Sequence, residues 1–68
     1  MTMTTDKVTR DDLRAIRQGE SRRFVLPSYE AVLSAKTNAY SLGRIMGCRY
    51  VCAVEPDKNV ITITRMPR

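Results

Sequence analysis

The stretch SYEAVLSAKTNAYSLGRIMGCRYVCAVEPDKNVITITRM, residues 28–66, decides the architecture of this chain. Val32, Ala35, Ala39, Leu42 and Met46 recur at three- and four-residue steps, which is one face of a helix, and predict a long helix over residues 29–46. Ser28 is the N-cap and Gly47 the left-handed stop. The stripe has small residues at its centre, so the helix can lie close on a sheet. The sheet follows at once: two runs rich in β-formers, residues 48–54 and 60–66, flank Glu55-Pro56-Asp57-Lys58-Asn59, whose Pro-Asp centre and Asn close a hairpin. In the last run Ile61 and Ile63 alternate with Thr62 and Thr64, the period of a strand with one buried face.

Working toward the N-terminus, residues 22–26 form a short β-rich run stopped by Pro27. Before it, Thr9 as N-cap, Asp12 at N3, and Val8 against Leu13 mark the start of a first helix that should end near Gln18 with Gly19 after it. Its narrow stripe of Leu13 and Ile16 suggests an appendage lying on the core. Residues 1–7 are polar and expected to be a disordered tail, with residues 8–68 a single domain. The predicted class is α+β, in the order α-β-α-β-β. Three strands lie in spatial order 1-3-2, the last being central and antiparallel to both neighbours. Phe24, Leu26, Tyr50, Cys52, Val54, Ile61 and Ile63 should face the long helix. Arg23, Val25, Arg49, Val51, Ala53, Thr62 and Thr64 should form a half-polar outer face.

Sixty-eight residues offer one thin core and no deep substrate cavity. Chains of this size often gain stability from a partner, so a homodimer is expected. No apolar segment suggests a signal peptide or membrane anchor, and GxxxG at Gly43 and Gly47 lacks the apolar surround of a membrane helix. Cys48 and Cys52 lie about 13 Å apart on one face of a strand. That is too far for a bond, and suits free thiols in a reducing cytoplasm. The chain has no His, which removes the usual base for a Ser or Cys nucleophile and the commonest zinc ligand. Asp11 and Asp12 are adjacent but suit the first turn of a helix better than a carboxylate pair. No enzyme activity, catalytic residue, metal, cofactor or small-molecule substrate is therefore expected.

What remains is charge. The net charge is +5, with nine Arg against three Lys. Arg10, Arg14 and Arg17 at i, i+4, i+7 should make one ridge on the first helix, and Lys36, Tyr40 and Arg44 a cationic row with an interleaved aromatic on the second. Arg22, Arg23 and Arg49 begin strands, and Arg65 and Arg68 end the chain. Arg grips phosphate with a planar fork, and Tyr can stack a base, so Arg10, Arg14, Arg17, Lys36, Tyr40, Arg44 and Arg49 are the candidate contacts to DNA or RNA. The same side chains would also serve as a solvated cover whose stems shield a small core. The patterns of KH, RRM and ribbon-helix-helix modules are absent.

The run RFVLPSYEA from Arg23, the helix after it, and then CRY and VITITR resemble small uncharacterised proteins carried by phages and conjugative elements of Bacteroides-type gut bacteria. The likeness spans residues 6–65. It implies an intracellular accessory protein of a mobile element and no site residues. Two readings stay open: a nucleic-acid-binding protein, and a protein–protein interaction module that engages a partner through the outer sheet face or an exposed edge strand.

Overall fold

A computed structural model describes residues 2–66. The elements are β1 (Thr2–Thr4), α1 (Arg10–Arg14), β2 (Ser21–Val25), α2 (Tyr29–Met46), β3 (Arg49–Glu55), a 3₁₀ turn (Pro56–Lys58) and β4 (Val60–Met66). The long helix has the bounds its periodicity predicts. The Ser28 hydroxyl accepts from the Ala31 N–H at 3.2 Å, and Gly47 closes the helix at φ 69°. The Cys48 N–H returns to the Gly43 carbonyl at 3.0 Å, a Schellman closure.

The three expected strands form the expected sheet. β4 is central, antiparallel to β2 and to β3, with Phe24 opposite Ile61 and Cys52 opposite Ile63. Asn59 takes the left-handed conformation the hairpin needs, at φ 52°. Phe24, Leu26, Tyr50, Ile61 and Ile63 bury against Val32, Ala35, Ala39 and Leu42 of α2, with Cys52 and Val54 packed beside them.

Three features differ from the sequence expectation. First, the N-terminal stretch expected to be disordered contains β1, which pairs in parallel with β2 and makes the sheet four-stranded, in the order β1-β2-β4-β3. The Thr5 N–H continues the pairing to the Val25 carbonyl at 3.1 Å. Three residues are too short a run to carry a strand signal of their own; the free edge of β2 supplies the hydrogen bonds that order them.

Second, α1 stops at Arg14 with Ala15 as its C-cap, well short of Gln18. Its start is as expected: Thr9 and Asp12 form a reciprocal capping box. Its end is set by tertiary contacts. The Leu13 carbonyl accepts from the Tyr50 hydroxyl at 3.1 Å, the Ile16 carbonyl accepts from the Arg65 guanidinium at 3.3 Å, and the Arg17 N–H donates to the Glu20 carboxylate at 3.0 Å. Gly19, at φ 84°, then serves a turn into β2 instead of a helix stop. Third, α1 is part of the core and not an appendage. Val8, Leu13 and Ile16 are as fully buried as the residues of α2.

Among the described residues no helix is long and apolar enough to cross a membrane.

Candidate nucleic-acid interface

The C-terminal half of α2 and the start of β3 enclose an open groove of about 270 Å³ lined by Tyr40, Gly43, Arg44, Cys48, Arg49 and Tyr50. Gly43 makes the close approach that forms its floor. A Cβ there would stand 2.9 Å from the Cys48 carbonyl oxygen and 3.3 Å from the Tyr50 ring, so the helix can rest this low on β3 only with glycine. Tyr40 projects along one wall and is 44 % exposed. Arg44 is its neighbour one turn on, and Arg49, the first residue of β3, completes the lining. Lys36, one turn before Tyr40, stands near Cys52. Burial pushes the Cys52 thiol pKa up, with the Lys36 ammonium and the Tyr40 hydroxyl acting in the opposite direction.

Tyr50 is the structural member of the group. Its ring is buried, and its hydroxyl holds α1 through the Leu13 carbonyl. Burial, then the neighbouring Cys48, raise its pKa, while the Arg65 and Arg14 guanidiniums act the other way. Arg14 thus approaches Tyr50 from the side of α1.

Three of the seven residues expected to contact nucleic acid, Tyr40, Arg44 and Arg49, share one groove. Lys36 adjoins them and Arg14 stands near its buried end. Arg10 and Arg17 are exposed and do not line the groove. Because α1 ends at Arg14, Arg17 lies beyond the helix and the expected ridge of Arg10, Arg14 and Arg17 does not form.

Pairing separates the cations further. Within ion-pair distance, and among the described residues, the carboxylates meet only Arg14 (from Asp11, 3.8 Å), Arg23 (from Glu55, 3.4 Å) and Lys58 (from Glu55, 4.0 Å). Lys36, Arg44 and Arg49 have no such partner, so their charge is available to an anion. Arg23 and Arg65 each carry a buried Nε without a hydrogen-bond partner among the described residues, and Arg65 is also structural through its bond to the Ile16 carbonyl. Arg68 lies outside the described residues.

Gly43, Cys48 and Tyr50 were not foreseen as lining residues. A signal for the region was nevertheless present: residues 31–54 contain no Asp or Glu, so every charge on that stretch is positive.

Among the described residues no three His, Cys, Asp or Glu side chains could together hold a metal ion. No family model, no curated protein and no solved structure matches the chain.

Proposed function

We propose that this protein is a small nucleic-acid-binding accessory protein of a mobile genetic element, acting in the cytoplasm without a catalytic step. The observation that carries the reading is the groove lined by Tyr40, Arg44 and Arg49, with no carboxylate partner on either cation among the described residues. In it, Arg44 and Arg49 grip phosphate and Tyr40 offers its exposed face to a base. Lys36 and Arg14 extend the positive field on either side. The mobile-element context rests on the resemblance over residues 6–65, and the absence of catalysis on the lack of His.

The test is fluorescence anisotropy with labelled single-stranded and duplex oligonucleotides at two salt concentrations. Binding should weaken as salt rises, each phosphate contact adding about 0.7 to 0.9 to the logarithmic salt slope. Arg44→Ala combined with Arg49→Ala should weaken it further while the fold persists. No binding in low salt, or binding indifferent to salt, removes the reading.

The open edge of β3 favours a second reading, a protein-interaction module with no nucleic-acid role.

A further inference from the structure

The two edges of the sheet are finished differently. On one side β1 covers β2; on the other, β3 pairs with β4 alone among the described residues. Backbone alternation tells which groups of β3 face outward. The Leu26 N–H donates to the Asn59 carbonyl, and Arg65 accepts from the Gly19 N–H and donates to the Glu20 carbonyl. The peptide groups of Asn59, Ile61, Ile63 and Arg65 therefore turn toward β2, and those of Val60, Thr62 and Thr64 toward β3. Their partners there are Glu55, Ala53 and Val51. Tyr50, Cys52 and Val54 are left with N–H and C=O groups directed away from the sheet. No charge and no proline interrupts residues 50–54, although edge strands are commonly guarded by both.

We propose that β3 pairs antiparallel with β3 of a second copy of this chain, with the dyad at Cys52, joining the two sheets into one. In this register Tyr50 meets the partner's Val54, Val51 meets the partner's Ala53, and Arg49 meets the partner's Glu55. It is the symmetric register that bonds all the outward backbone groups of residues 50–54, and it also sets opposite charges face to face at both ends of the junction. Arg49 and the partner's Glu55 form a non-hydrogen-bonded pair, in which side chains come closest.

A second observation lies above the strand. Tyr29, Leu33 and Tyr40 are 47 %, 44 % and 44 % exposed. They sit at helical spacing on the flank of α2 that places Lys36 and Tyr40 beside Cys52. Pairing of β3 brings the same flank of the partner's helix alongside and covers these side chains. This proposal does not rest on the nucleic-acid reading, but the two meet at Tyr40 and Arg49. A second copy and an oligonucleotide consequently compete.

Sedimentation velocity on the full chain without nucleic acid should give a mass twice the 7.8 kDa of one chain. Arg49→Glu and Glu55→Arg each set like charges opposite at both ends, and each should raise the dimer dissociation constant about ten-fold; the double variant should recover it. A monomer at every concentration, or a double variant no better than the singles, overturns the proposal. As a check independent of charge, Val51→Cys with Ala53→Cys, in a chain with Cys48→Ala and Cys52→Ala, should oxidise to a covalent dimer, and failure to cross-link counts against the register. A dimer that ignores oligonucleotide would remove the nucleic-acid reading alone. A chain that binds oligonucleotide but never dimerises would remove this proposal alone, and an oligonucleotide bound to an intact dimer would overturn the competition.

Discussion

The corner around α1 and the margin between α2 and β3 both carry arginines, yet they use them differently. At the corner, Arg65 donates to the Ile16 carbonyl and Arg14 lies beside Asp11, while Leu13 and Ile16 are fully buried beneath them. At the margin, Arg44 of α2 and Arg49 of β3 line the groove, and among the described residues neither meets a carboxylate. Position in the sequence does not separate these roles. A cation that closes an orphaned carbonyl contributes to folding, whereas one left without a partner retains its charge for a ligand.

The comparison breaks most visibly in stability. Leu13→Ala should cost about 2 to 5 kcal/mol, the range for emptying a fully buried leucine site. Ile45→Ala, at an exposed site on α2, should change stability by less than about 0.5 kcal/mol, and urea denaturation measures both. If Leu13→Ala proved as mild as Ile45→Ala, α1 would be an appendage after all.

Gly43→Ala is the next test in size. The new methyl would press on the Cys48 backbone carbonyl and the buried Tyr50 ring, neither a flexible end, so a loss of about 1 to 3 kcal/mol is expected. The same change should distort the groove, and any oligonucleotide affinity should fall with it.

Arginine against arginine sharpens the contrast. Arg65→Ala should lower stability by about 1 kcal/mol, because the Ile16 carbonyl loses its donor. Arg44→Ala should lie within about 0.5 kcal/mol of the parent in the same denaturation series. Equal effects would erase the distinction between structural and available cations.

The smallest expected effect is a pH dependence. Burial raises the Cys52 thiol above its ordinary 9.0 and the Tyr50 hydroxyl above its ordinary 10.0. The unfolded chain therefore ionises first, so this stability is intact below about pH 9 and is lost as pH rises through the folded values. Denaturation midpoints should fall on the alkaline side, and less so in Cys52→Ala. A flat alkaline profile would show that neither group is protected by burial.

Much of the fold was legible because its signals are local. The α2 stripe, its Ser28 and Gly47 ends, and the Pro56 to Asn59 turn each depend on residues near in sequence. The early end of α1 was not legible, since the groups that interrupt it, Tyr50 and Arg65, arrive from the far end of the chain. The candidate site was legible in part. The row of Lys36, Tyr40 and Arg44 follows from helical spacing, but its meeting with Arg49 depends on how low α2 rests on β3. The ridge expected of Arg10, Arg14 and Arg17 failed because it assumed a helix longer than the fold allows.

From the sequence by itself came the class, the strand order of the hairpin and its neighbour, the buried faces and the excess of arginine, because periodicity, caps and turns are short-range properties. Only the tertiary structure decided which edge of the sheet is covered, how deeply α1 is buried and which cations keep their charge free. Those outcomes depend on backbone groups and side chains distant in sequence finding each other, and hydrogen bonding and burial are settled only when the whole chain has closed.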